Sequence, residues 1–84
     1  MKVLISEQVV AKLRALHPDH RRMVRQAIQG LASDKGDRKQ LVGVLSDYYR
    51  LRVGRYRAVY CYRGQRIEVV FLEVRSVVYE LFRP

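Results

Sequence analysis

The sequence predicts an α+β domain. An N-terminal strand and an antiparallel two-helix hairpin are expected to pack on a mostly antiparallel sheet of about four strands, followed by a short C-terminal helix or strand. Three observations predict it. Two adjacent stretches in the first half carry helical periodicity. From Asp47 onward the apolar pattern switches to period two. Glycine-bearing breaks then cut that second half at hairpin spacing. At 84 residues the chain is expected to be a single domain, 1–84. A core of that size is modest and buries roughly 60–65% of the unfolded surface.

Each element has its reason. Lys2 to Ile5 is a short apolar run that suits a first strand, and Ser6 can cap a helix reaching about Leu16. Val9, Val10, Leu13 and Leu16 fall on one face of that helix. His17-Pro18-Asp19 breaks it, with Pro18 suited to the first turn of the next. The second helix is expected from about Asp19 to Ala32. Val24, Ala27, Ile28 and Leu31 form its apolar stripe, and Arg21, Arg22, Arg25 and Gln29 its polar side. So short a link implies a helical hairpin. Ser33 to Lys39 is expected as a polar loop, and Gln40 to Ser46 as an apolar link bent at Gly43. Strands follow over Tyr48–Val53, Tyr56–Tyr62 and Arg66–Val74, joined by turns at Gly54-Arg55 and Arg63-Gly64-Gln65. Val77 to Phe82 closes the chain as a short helix or an edge strand.

The pleat sorts these side chains. Tyr49, Leu51 and Val53 point one way, towards the helices that need an apolar floor; Tyr48, Arg50 and Arg52 point the other. If Arg57 joins the second set, Val59 and Cys61 come with it and need cover. Val77, Val78, Leu81 and Phe82 could supply that cover.

Charge narrows the function. Lys and Arg number 17 against 8 Asp and Glu, a net charge of +9. Thirteen of the 17 are arginine, whose planar fork grips phosphate bidentately where lysine is a hydrated point charge. Such a balance favours nucleic acid, an acidic protein or anionic lipid. Between Tyr48 and Arg66 lie six Arg and five Tyr with no acidic residue. Like charges on neighbouring strands repel, so this cluster is expected to meet an anion, with tyrosines on which bases can stack. The alternative is an arginine-guarded sheet edge with tyrosine as ordinary strand filler.

No apolar run approaches the ~20 residues of a membrane span, and the apolar start is too short for a secretory leader. The single cysteine, Cys61, can form no internal disulfide. These features fit a cytoplasmic protein. His17 and His20 have no accompanying carboxylate or cysteine cluster, so a cap or surface role outweighs a zinc site. Cys61 reads as core filler, and Tyr60 and Tyr62 as packing and rim residues. No cofactor and no metal are expected.

The run from Tyr48 to Tyr60, Y-Y-R-L-R-V-G-R-Y-R-A-V-Y, resembles the central motif of the RelE/ParE toxin superfamily, Y-R-L-R-V-G-x-Y-R followed by two apolar residues and Tyr. Leu41-Val42-Gly43 resembles the family's L-x-G, and Leu72 to Tyr79 its I-G-H-R-x-x-V-Y, with Glu73-Val74 standing where the pattern has Gly-His. The resemblance spans the whole chain. It implies the toxin of a type II toxin–antitoxin pair, a ribosome-dependent mRNA endonuclease in which the ribose 2′-OH attacks its own 3′ phosphate without a metal. Carried over by position, Arg50 and Arg52 match two basic residues of the first meander strand, Arg57 the phosphate-stabilising arginine, Arg75 the tail arginine and Tyr79 the C-terminal tyrosine that orients substrate. The implied partners are a small acidic antitoxin and mRNA on the ribosome, and no membrane. The alternatives are a non-enzymatic ParE-like inhibitor of DNA gyrase, or a decayed toxin that only binds antitoxin or RNA. Val78-Tyr79 favours the RelE side.

Overall fold

Residues 1–82 are described by a computed structural model. Strand β1 (Lys2–Ile5) leads into helices α1 (Glu7–Ala15) and α2 (Pro18–Gly30); strands β2 (Asp37–Gln40), β3 (Tyr48–Val53), β4 (Tyr56–Arg63) and β5 (Arg66–Val74) follow, and helix α3 (Arg75–Leu81) ends the fold. The strands form one sheet in the order β1-β5-β4-β3-β2. Only the β1–β5 pairing is parallel, so the sheet is mixed.

Local chemistry sets the boundaries. Ser6 caps α1, its Oγ accepting from Val9 N at 3.3 Å, and His17 caps α2, its Nδ1 accepting from Asp19 N at 3.2 Å. Arg21 of α2 then reaches back to the open carbonyls at the end of α1, donating from Nε to Leu13 O at 2.9 Å and from Nη2 to Leu16 O at 3.0 Å. These charge-assisted bonds lock the hairpin. Gly54 and Gly64 take φ of +56° and +60° at the first turn position of their hairpins, the conformation that a two-residue turn with leading glycine requires.

Two expectations are corrected. Asp37–Gln40, expected as the end of a polar loop and the start of an apolar link, forms the fifth strand, paired antiparallel with β3 from Asp37↔Arg52 to Gln40↔Tyr49. All four residues are exposed, so burial imposes no alternation and the period-two signal is absent. The chain enters this strand through Gly36, at φ +115°, where a Cβ would stand 2.7 Å from Leu51 Cδ1; any other residue there would be strained. The second helix also stops at Gly30, and Leu31–Ser33 tightens into a 3₁₀ turn. Gly43 does mark a bend, at φ +66° at the head of another 3₁₀ turn.

The core lies between the helical hairpin and one face of the sheet. Val9, Leu13, Val24, Ile28, Leu51, Tyr60, Ile67 and Leu72 are its centre. Tyr49, Leu51 and Val53 face it as the pleat requires. Beyond the end of β1, the free edge of β5 is satisfied by side chains. Gln8 donates from Nε2 to Leu72 O and accepts from Leu72 N, both at 2.9 Å, and Ser6 Oγ donates to Val70 O at 2.9 Å. The start of α1 thus runs along β5 as a substitute strand, answering the unpaired backbone that an edge otherwise exposes.

Candidate functional site: an arginine cluster on the open face

The face of the sheet turned away from the hairpin follows from register. Arg50 pairs with Val59 and Arg52 with Arg57, so these residues share one side. Helix α3 crosses that side. Val78 is buried against it and Phe82 packs on Phe71 with ring centroids 5.2 Å apart. Val59, which pairs with Phe71, thus lies under the cover anticipated from the C-terminal segment; Cys61, also buried, lies beside Tyr48 and Arg63 instead. Leu81 remains 61% exposed and takes no part in the cover.

Arg57 is the best-anchored member. It retains only 8% of its surface, and its Nη1 donates to Gly54 O at 2.7 Å and Tyr56 O at 2.8 Å. Those bonds use both Nη1 hydrogens and leave Nε and Nη2 as a free donor edge. Burial, and then the charges of Arg52, Arg50 and Arg75, lower its pKa from the ordinary guanidinium value, with Tyr79 opposing. Arg50 Nη1 is out of reach of water yet has no hydrogen-bond partner among the described residues.

Arg75 and Tyr79 stand one turn apart on α3. The guanidinium carbon lies 4.8 Å from the Tyr79 ring centroid, and Nη2 donates to the hydroxyl at 3.3 Å. That hydrogen bond and the Arg75 charge, reinforced by Arg50 and Arg57, lower the Tyr79 pKa below the usual phenol value. Tyr79 is half exposed. Between it and β2 runs a groove of about 250 Å³ whose walls include Lys39, Leu41, Arg50, Arg57, Val78 and Tyr79. One side is cationic and the other apolar, which suits an anion carrying a flat ring. Among the described residues no carboxylate lies within ion-pair distance of Arg50, Arg52, Arg57 or Arg75.

The five residues singled out in the sequence, Arg50, Arg52, Arg57, Arg75 and Tyr79, are thus brought to one neighbourhood. Lys39, opposite Arg50 in the register, was missed because its segment carries no strand signal. His17 and His20 serve structure: His17 caps α2, and His20 Nδ1 lies 2.8 Å from Tyr56 Oη. Tyr49, Tyr60 and Tyr62 cluster together on the opposite face, Tyr49 stacking on Tyr60 with centroids 5.5 Å apart. Among the described residues no group of three or more metal-ligating side chains occurs, and no helix is long and apolar enough to cross a membrane.

The same architecture recurs in solved structures. RelE of the RelB–RelE antitoxin–toxin complex from Methanococcus jannaschii superposes with a TM-score of 0.73 at 24% identity, covering 94% of this chain and 98% of that one. The archaeal RelE–RelB complex from Pyrococcus horikoshii OT3 gives 0.68 at 28% identity over 88% of this chain and 93% of that one. The chain has the fold of the RelE/ParE toxin superfamily. The YoeB dimer from Staphylococcus aureus matches with a TM-score of 0.72 at 14% identity, covering 89% of this chain and 97% of that one. No family model matches the sequence, and no curated protein does. The relationship to the RelE/ParE fold is carried by structure and by the Tyr48–Tyr60 motif.

Proposed function

We propose that the protein is the toxin of a type II toxin–antitoxin pair and cleaves mRNA on the ribosome. The observation that supports this reading is the cluster of Arg50, Arg52, Arg57 and Arg75 with Tyr79, in which no arginine is within ion-pair distance of a carboxylate among the described residues, set on a RelE/ParE fold. In the reaction the ribose 2′-OH attacks the adjacent phosphorus, the 5′ oxygen leaves, and a 2′,3′-cyclic phosphate remains. The doubly charged phosphorane between them needs fixed cations, and the Arg57 guanidinium, held by burial and backbone bonds, supplies one without reorganisation. Arg57 would hold a non-bridging oxygen through its free Nε–Nη2 edge, and Arg50, which lines the same groove, would add a second positive charge beside it.

Proton transfer falls to Tyr79. A guanidinium keeps its proton at any ordinary pH, whereas a phenol with a lowered pKa can exchange one. Its half-exposed ring can also stack on a base beside the cleaved bond. The partner in the resting cell would be a small acidic antitoxin, because a surface of net charge +9 attracts a complementary chain quickly and in a salt-dependent way.

The test is a purified translation reaction with a defined mRNA, in which 3′ ends are mapped and their chemistry read. The expected result is cleavage only with ribosomes present, leaving cyclic phosphate, and a fall of about ten- to a hundredfold in Tyr79→Phe. Intact mRNA with the parent chain, together with arrest of DNA replication on induction, would replace this reading with the gyrase-inhibitor one.

A further inference from the structure

The row of the sheet that crosses the arginine cluster reads Asp37, Arg52, Arg57, Glu73. Glu73 is directly opposite Arg57, where Cβ atoms stand about 4.5–5.5 Å apart. A glutamate so placed would ordinarily close a charge-assisted pair with the arginine and occupy the fork that an incoming anion needs. It does not. Glu73 Oε2 lies 3.1 Å from Lys12 Nζ and accepts from Val74 N at 3.2 Å.

The lysine belongs to the other side of the sheet. Lys12 follows Gln8 by one turn of α1, and Gln8 is bonded to the backbone of Leu72 at the free edge of β5. The helix that closes this edge therefore brings an ammonium to the one spot from which Glu73 can be drawn over the edge and off the open face. Both side chains are about three-quarters buried, at 25% and 23% exposure, so the pair is shielded more than a solvated surface bridge. Asp37, at the far end of the row, is exposed and outside ion-pair distance of Arg52.

We propose that Lys12 is a positioning residue for the arginine site: by holding Glu73 over the β5 edge it keeps that carboxylate off Arg57 and leaves the Arg57 fork open to an anion. The consequence for RNA rests on the proposed function; the side-chain arrangement does not.

The test uses the full chain as Lys12→Met, Glu73→Gln, the double variant, and Lys2→Met as a control that loses the same charge at the opposite end of β5, where Lys2 pairs with Arg66. Two readouts are taken: the Arg57 Nε–Hε resonance, and the affinity for a 2′-O-methyl single-stranded RNA that cannot be cleaved. In Lys12→Met the Arg57 resonance should move and RNA binding should weaken about tenfold, the scale of one lost hydrogen bond to a charged group. Glu73→Gln and the double variant should match the parent in both, and Lys2→Met should leave the resonance in place. An unmoved Arg57 resonance in Lys12→Met overturns the proposal, as does a double variant that stays as perturbed as Lys12→Met. A resonance that moves and is rescued, in a parent chain that binds no RNA, upholds the Lys12 role and overturns the functional reading instead.

Discussion

One face of the sheet is sealed under the α1–α2 hairpin by Leu51, Ala58, Tyr60, Ile67 and Leu72, each fully buried. The other carries Arg50, Arg52 and Arg57 and is crossed by the short helix α3, with Phe82 after it packed on Phe71. The same three strands serve both faces, because alternate residues of one strand answer different demands. On the sealed side, burial of apolar area decides which residue is tolerated. On the open side, repulsion among arginines is tolerated although nothing in the fold needs them together. A destabilising arrangement kept beside a well-packed one points to function in the former.

This contrast can be broken first from the sealed face. Leu51→Ala should cost about 2–5 kcal/mol of stability by leaving a cavity under the hairpin; a denaturant midpoint close to the parent's would mean that the core is not where the folding energy lies. Gly36→Ala should follow at ~1–3 kcal/mol, since both its φ of +115° and the 2.7 Å approach to Leu51 oppose a Cβ. Thermal unfolding checks it, and an unchanged midpoint would contradict the close passage into β2.

A smaller effect of opposite sign is expected at Tyr60. Its hydroxyl is buried without a hydrogen-bond partner, and burial pushes its pKa up to about 12, the neighbouring Tyr62 adding to the shift without reaching hydrogen-bond geometry. Tyr60→Phe should therefore be neutral or stabilising by up to ~1 kcal/mol. A clear loss of stability in that variant would show that the hydroxyl has a partner after all.

On the open face the expected signal is a titration. Tyr79 should ionise below the ~10 of a free phenol, and Arg75→Ala should move it back up, read by phenolate absorbance against a Tyr79→Phe blank. Because the folded pKa is the lower one, the group's contribution to stability is complete above the unfolded value and disappears as pH falls through the folded value. Titration of Tyr79 at or above the free value would dissolve the proposed Arg75–Tyr79 coupling.

The legibility of the sequence follows the same division. The meander was readable because Leu51, Val53 and their neighbours alternate with polar residues, and because Gly54 and Gly64 stand where tight turns need them. The gathering of Arg50, Arg52 and Arg57 on one side follows from that alternation. Strand β2 was not readable: Asp37-Arg38-Lys39-Gln40 is polar throughout, and it is a strand only because β3 offers it hydrogen bonds and Gly36 lets the chain reach them. The parallel pairing of β1 with β5, and the Lys12–Glu73 bridge that depends on it, join residues more than 60 positions apart. No local pattern in the sequence carries such a relation.

The central claim is that the open arginine face is the working surface, and Arg57→Ala tests it most directly. The variant should stay folded and unfold cooperatively, at a cost of about 1–3 kcal/mol for the two backbone carbonyls its buried guanidinium leaves unpaired. In the translating-ribosome reaction the same preparation should lose cleavage by two to three orders of magnitude, on the order found when a fixed transition-state donor is removed. Cleavage at the parental rate from a folded Arg57→Ala protein would contradict the account.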